Sequence, residues 1–381
     1  MSFSAPSPRI IEYSRQLSAS QTSVKNVNLR HLADLSASDL TYLPQDINSL
    51  WIGPGFRSSI NDIIRFLPTG LRQLDLDLTA GGSGPTLDAY DEQFLMSLLF
   101  ERAVSLESLS LRAHGSASVF AVAKNLPNAR QLQTLDFRSN HMGDNGVHVL
   151  CQSMLTYENN QGVSPVQNLI VSWNNVTDVG VSYLCEVLKS KFCQLKTLDL
   201  SCNDEISDVG FAKICDALRY NKSLERLTMF SCPQITNARL LKDLLVEHDT
   251  DSLAAASGTN FYNYTLKYVD LGATRAARTM KDVMEQIKFG LALNREGRLQ
   301  LRCAQDDFFW ILQSNLEDDE MSDGDSANSS VQWWRPAHEL VQYEDPLEDL
   351  SISFYFLRQT SAFWTSFASR DYSEDQPMAC D

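Results

Sequence analysis

The chain has 381 residues, 43% of them hydrophobic, and a formal net charge of −16, which is length for two globular domains or for one repeat array with an appendix. No run of about 18 apolar residues is present, so no membrane-spanning helix is expected. No basic stripe of the kind that binds nucleic acid or an anionic membrane stands out, and the acidity is local: residues 306–381 hold 17 acids against Arg335, Arg358 and Arg370, which places −14 of the −16 there.

The N-terminal stretch MSFSAPSPRIIEYSRQLSASQTS has Arg9 and Arg15 but no apolar core for a secretory signal, and it is Ser-rich with Glu12 its only acid. Residues 1–22 are expected to be disordered because few apolar residues lie close together. Without a signal, the eight cysteines read as reduced thiols in a cytoplasmic protein. The sequons at Asn175, Asn221 and Asn263 carry no meaning in that compartment.

From residue 23 onward a motif recurs. Its clearest copy is Leu195–Leu218, LKTLDLSCNDEISDVGFAKICDAL, in which Leu195, Leu198 and Leu200 mark a period-2 strand, and Ile206, Ile214 and Leu218 continue as the apolar side of a helix. Such a unit cannot bury its apolar face alone, so it implies stacked neighbours, and this is the pattern of a leucine-rich repeat. Strand starts fall at Val24, Ile47, Leu71, Leu106, Leu132, Val166, Leu195, Leu224 and Leu266, at intervals of 23, 24, 35, 26, 34, 29, 29 and 42 residues. The first units are degenerate. Inserts such as GGSGPTLDAYDEQ and EHDTDSLAAASGTNFYN read as loops added without breaking the stack. Cys151, Cys185 and Cys215 each follow the apolar residue at one helix position, a column of small side chains suited to packing between helices. After Leu266, Val283, Ile287 and Leu291 mark a helix, and LQLRC reads as a last weak strand.

The interval near 29 residues resembles the ribonuclease-inhibitor type of leucine-rich repeat, most strongly over residues 132–240. There Asn140, Asn174 and Asn203 recur eight residues after the strand start, while Gly146, Gly180 and Gly210 precede the helix. The asparagines should point inward and use their amides on backbone groups of the turn. Cys232 replaces asparagine in the next unit, as in a cysteine-containing subtype, and Arg239 replaces the glycine. The expected fold is an α/β leucine-rich-repeat solenoid, a horseshoe with a parallel inner sheet and outer helices over residues 23–305, plus an aromatic C-terminal helical appendix. An acidic spacer (306–330), an aromatic amphipathic segment (331–368) and a disordered acidic tail (369–381) would follow it. The aromatic segment, with Trp333, Trp334, Phe354 and Trp364, reads either as a cap on the open solenoid end or as a helix that docks on a partner. The endings LALNREGR, the Trp pair and LEDLSISFYFLR are similar to those of stand-alone leucine-rich-repeat proteins of algae and other protists.

No nucleotide-binding loop, HExxH, GxSxG, kinase signature or paired-cysteine metal motif appears, so neither an enzyme nor a metal or cofactor is expected. The informative positions project from the strands onto the concave face. One column runs Asn28, Trp51, Asp75, Ser110, Asp136, Ile170, Asp199, Thr228 and Asp270; the next runs Arg30, Gly53, Asp77, Arg112, Arg138, Ser172, Ser201, Phe230 and Gly272. Asp75, Asp77, Arg112, Asp136, Arg138 and Asp199 then make a mixed-charge centre, with Trp51, Trp173 and Phe230 as apolar neighbours. Two readings stay open: a partner-binding face, or solvated filler in which Arg112 and Arg138 merely pair with Asp75 and Asp136. Trp173, placed between Ser172 and Asn174, should be exposed. The function expected is a monomeric cytoplasmic scaffold or adaptor that binds a protein partner on the concave face. The alternatives are a regulator or inhibitor of a basic protein, and a GTPase-activating protein that uses a residue pair such as Arg138 and Asn140.

Overall fold

The computed structural model describes residues 8–19, 26–30, 32, 35–53, 60–77, 97, 99–101, 103–113, 115–161, 164–246 and 262–295. These lie in one compact unit, Met1–Val246 with Phe261–Arg298; a second, Glu247–Asn260 with Leu299–Asp381, falls outside the described residues. The expectations for residues 296–381, including the weak strand, the spacer, the aromatic segment and the tail, therefore lie outside them as well.

Nine short strands form one parallel sheet in chain order: β1 (Asn26–Asn28), β2 (Ser49–Ile52), β3 (Gln73–Asp77), β4 (Ser108–Arg112), β5 (Thr134–Asp136), β6 (Asn168–Ile170), β7 (Thr197–Asp199), β8 (Arg226–Thr228) and β9 (Tyr268–Asp270). Every neighbouring pair is parallel, and the register never slips. The second apolar residue of the first eight motifs forms one inward column, Val27, Leu50, Leu74, Leu109, Leu135, Leu169, Leu198 and Leu227, all fully buried, and Val269 of the ninth is half-buried. Because side chains alternate with period 2, fixing this column inward fixes its neighbours on the concave surface.

Helix α1 (Pro8–Ala19) precedes the sheet; α2 (Ile60–Phe66), α3 (Ser116–Asn125), α4 (Gly143–Gln161), α5 (Asp178–Lys189), α6 (Asp208–Tyr220) and α7 (Arg239–Leu245) return the chain between strands; and α8 (Arg275–Thr279) and α9 (Lys281–Arg295) follow β9. In α5 and α6 the buried residues fall at helical spacing, Val181, Leu184, Cys185 and Leu188, then Phe211, Ile214, Cys215 and Leu218. Cys151, Cys185 and Cys215 are free, buried thiols between packed helices. Burial pushes the Cys185 and Cys215 thiols up, to about 11 and about 12, so they behave as small apolar groups rather than nucleophiles. The intervals of 23 and 24 residues at the start leave no room for a long return helix, and a six-residue 3-10 helix, Ala37–Tyr42, stands between β1 and β2.

Two expectations are corrected. Residues 1–22 were expected to be disordered, yet Pro8–Ala19 is helical: Ile10 is fully buried and the Ser14 hydroxyl donates to the Tyr42 carbonyl at 2.5 Å, so the helix is held by the 3-10 turn beneath it. Gly180 and Gly210, expected just before their helices, are each the third helical residue, and Gly146 is the fourth. The reason is close approach. The Gly180 N–H donates to Asp144 Oδ1 of the preceding helix at 2.9 Å, and a Cβ there would lie 2.5 Å from that oxygen.

Candidate functional site: the concave face and its exit turns

Two polar ladders hold the turns that carry the concave side chains. Asn140, Asn174 and Asn203 are fully buried, as their spacing predicts. Asn174 Oδ1 accepts from the N–H groups of Asn140 (3.0 Å) and Met142 (3.2 Å), while its Nδ2 donates to the Phe137 (2.7 Å) and Ser172 (3.0 Å) carbonyls. Asn203 repeats this on Asn174, Val176, Val171 and Leu200. Cys232 keeps part of the ladder, its thiol donating to the Leu200 carbonyl at 3.6 Å and its sulfur facing the Asn203 N–H. Each amide thus satisfies backbone groups that a buried turn would otherwise strand.

The second ladder was not anticipated from the sequence. Asp144 accepts from the Thr177 N–H, the Thr177 hydroxyl and the Gly180 N–H at 2.7–2.9 Å. Asp178 does the same for Ser207 and Gly210, and Asp208 for Thr236 and Asn237. Thr177 and Ser207 in turn accept from the N–H groups of Val179 and Val209, so each caps its own helix while donating to the previous one. The recurring signal, an Asp two residues before the glycine in α4, α5 and α6, was present, but within a single repeat it reads only as an acid near a helix N-terminus.

The expected concave column is in register from Asn28 through Trp51, Asp75, Ser110, Asp136, Ile170, Asp199 and Thr228 to Asp270. Its carboxylates and amide also have a local task. Asn28, Asp136, Asp199 and Asp270 each accept the backbone N–H two residues on, at 2.7–3.1 Å, a turn-like side-chain bond at the strand exit.

The mixed-charge centre forms in part as expected. Arg112 bridges Asp75 (3.4 Å) and Asp136 (3.3 Å), and Arg138 pairs with Asp136 (3.2 Å). Arg30, not singled out as a site residue beforehand, joins through Asp75 at 2.5 Å. Its signal was membership of the same column as Arg112 and Arg138. Asp77 lies opposite Arg112 in register, and half-buried Trp51 lies opposite Asp75. Asp75 and Asp136 are buried to below one-tenth exposure, and Asp75 Oδ1, Arg30 Nε and Arg138 Nε are buried without a hydrogen-bond partner among the described residues. Asp199 does not join the centre: apolar Ile170 on β6 separates it from Asp136 by a strand. Arg138 and Asn140, the pair suggested for a GTPase-activating role, part ways. Arg138 faces the concave surface, whereas Asn140 is fully buried with its amide used on the Leu111 and Arg138 carbonyls and the Gly115 N–H.

Trp173 is exposed, at 61%, and its backbone is left-handed, φ 59°. The same exit position in five other units holds Ala113, Ser139, Cys202, Ser231 and Ala273, with φ between 56° and 61°. The conformation belongs to the turn: the Trp173 N–H donates to the Ser201 carbonyl at 3.1 Å, and Asn174 Nδ2 grips the carbonyl before it. A small residue suits this region, whereas a bulky one is a strained outlier there. Phe230, 45% exposed, lies over Gly272, where a Cβ would meet its ring at 2.8 Å. Among the described residues no group of three or more His, Cys, Asp and Glu side chains is arranged to hold a metal, and no helix is long and apolar enough to cross a membrane.

A family model described as Leucine Rich repeat matches residues 129–151, 165–185 and 193–215. The chain is 33% identical over 104 residues to NACHT, LRR and PYD domains-containing protein 4C of Mus musculus, covering 27% of this chain and 10% of that protein. It is 27% identical over 151 residues to the ribonuclease inhibitor of Mus musculus, covering 34% of this chain and 32% of that one. The chain thus spans a third or less of the length of these curated relatives. Among solved structures, a crystal structure of a TLR13–ssRNA13 complex aligns over 66% of this chain and 34% of that chain, with a TM-score of 0.30 and 18% identity.

Proposed function

We propose that the chain, whose repeats match the leucine-rich-repeat model and are similar to those of a ribonuclease inhibitor, is a cytoplasmic scaffold or adaptor, monomeric by itself, that binds a protein partner on its concave face. The contact residues would be Trp51, Asp75, Asp77, Arg112, Asp136, Arg138, Trp173, Asp199 and Phe230.

The observation that carries this reading is Trp173. A tryptophan both exposed and held left-handed, where five other units place Ala, Ser or Cys, is unfavourable twice over unless a partner covers it. Such aromatics, with arginines beside them, are the residues that anchor protein interfaces. The buried, free thiols of Cys151, Cys185 and Cys215 support a reducing compartment. So does the use of the sequon asparagines Asn221 and Asn263, which are buried with their amides bonded to helix-end carbonyls and turn N–H groups and are closed to glycosylation.

The test uses the full chain as bait in extract of its native source. Trp173→Ala combined with Arg138→Glu should lose the proteins that the unaltered chain captures, while far-UV circular dichroism stays the same. Undiminished capture by the double variant would return these side chains to the role of solvated filler.

A further inference from the structure

The stack of repeats assembles a charge that no single segment displays. Parallel strands joined by return helices put the helix C-termini and the strand entries on one edge of the array. On that edge the segments 186–196, 216–226 and 262–268 hold seven lysines and arginines against three acids, although residues 1–305 together are close to neutral. Direct contacts hold the segments side by side: Lys189 Nζ pairs with Asp216 at 2.6 Å, the Glu225 N–H donates to the Lys196 carbonyl at 2.9 Å, and the Lys267 N–H donates to the Glu225 carbonyl at 2.8 Å. Helix-end carbonyls attract lysines, but here Asn221 Nδ2 takes the Leu188 carbonyl and Asn263 Nδ2 the Leu218 carbonyl. Lys191, Lys196 and Lys222 are exposed and form no ion pair among the described residues. Two apolar rings stand among them, Tyr220 at 62% exposure and Phe192 at 38%. Lys189 lies 5.7 Å from the Tyr220 centroid and leaves most of that side chain open.

We propose that this edge of the β6–β9 units binds single-stranded nucleic acid. Lys191, Lys196 and Lys222 meet successive phosphates, and Tyr220 and Phe192 offer their rings to the bases. Two features select this occupant over an acidic protein segment. The unpaired charges are lysine ammoniums, compact point charges that suit a phosphate, rather than the guanidinium forks that match a carboxylate. An acidic segment would also meet the charges and leave the two rings uncovered, whereas stacked bases cover both. The edge is separate from the concave columns, where Arg112 and Arg138 are engaged with Asp75 and Asp136, so a second surface is added to the protein-binding one.

The test measures, by fluorescence anisotropy with the full chain, a labelled short single-stranded oligonucleotide, an abasic phosphodiester of the same length and an oligoaspartate peptide of the same charge. The oligonucleotide should bind with a log–log salt slope of about −2, as three phosphate contacts on a single strand require. Lys191→Glu with Lys222→Glu should weaken it at least about ten-fold. Tyr220→Ala should weaken it about ten-fold and leave the abasic strand unchanged. These side chains are exposed, so the melting temperature should not move. Absence of binding, or equal binding by the parent and the double Glu variant, would overturn the proposal. Oligoaspartate or the abasic strand binding as tightly as the oligonucleotide would also overturn it, by making the edge a site for acidic protein or for phosphate alone. Trp173→Ala with Arg138→Glu should leave oligonucleotide binding unchanged; its loss there would place the strand on the concave face and overturn the edge site, while capture of the native protein partner tests the concave-face reading alone.

Discussion

The regular units from β5 to β8 and the first units from β1 to β3 bury the same leucine column but close their return segments differently. In the regular units each helix start is held by an aspartate of the preceding repeat, Asp144 on Thr177, Asp178 on Ser207 and Asp208 on Thr236. Between β1 and β2 the 3-10 helix is closed by its own residues: the Ser36 N–H donates to Asp39 Oδ2 at 2.8 Å, and Asp39 is buried. The first arrangement couples neighbouring return segments through polar groups; in the second the polar contacts between units lie on the sheet strands, Arg30 on Asp75 and Ser49 on Gln73. A repeat array whose stability is a sum of unit and interface terms should therefore be stiffest in the middle.

That difference can be broken or sharpened by mutation. The largest effect belongs to the shared column: Leu198→Ala and Leu50→Ala remove fully buried side chains and should each destabilise by about 2–5 kcal/mol in denaturant unfolding. Similar losses at both sites would show that the halves do not differ in their apolar core. The polar ladder comes next. Asn174→Ala strands the N–H groups of Asn140 and Met142 and the Phe137 and Ser172 carbonyls, at about 1–3 kcal/mol. Its hydrogen-exchange signature should appear in β5 and β6 and leave β1 and β2 protected as before; a uniform loss of protection would remove the distinction between the regions.

The smallest effect is one of pH. Burial works to raise the Asp208 pKa, but hydrogen bonds from the Thr236 hydroxyl, the Thr236 N–H and the Asn237 N–H outweigh it and leave the carboxyl below its ordinary 3.8. A carboxyl depressed on folding adds stability above its unfolded pKa and loses it as the pH falls through the folded value. The melting temperature of Asp208→Asn should therefore lie below that of the parent at neutral pH and converge on it in the acid range below 3.8. A constant offset at every pH would mean that the ladder does not depend on charge.

The leucine columns, the parallel order, the inward asparagines and the exposure of Trp173 were legible because each is a repeat of period 2 or of about 29 residues that one chain displays several times. The aspartate ladder was not, although it recurs too, because an acid in the first turn of a helix has a sufficient local explanation and only the stacking of repeats shows where its oxygens go. Helix α1 escaped notice because its described anchors, the buried Ile10 side chain and the Ser14 hydroxyl, form no periodic signal in the sequence. Of the expected mixed-charge centre, Asp75, Arg112, Asp136 and Arg138 form ion pairs, while Asp199 stands apart because apolar Ile170 lies between it and Asp136. The left-handed turn at Trp173 could not be read at all: the residues that share the position, Ala113, Ser139, Cys202, Ser231 and Ala273, include no glycine to announce it.

Trp173 therefore tests the account most directly. Glycine occupies left-handed backbone without strain, so Trp173→Gly should leave the melting temperature unchanged or raise it, by an amount worth about 1 kcal/mol, while capture of the protein partner by the full chain is lost. A lower melting temperature with capture intact would make Trp173 a structural residue and contradict the concave face as the binding surface.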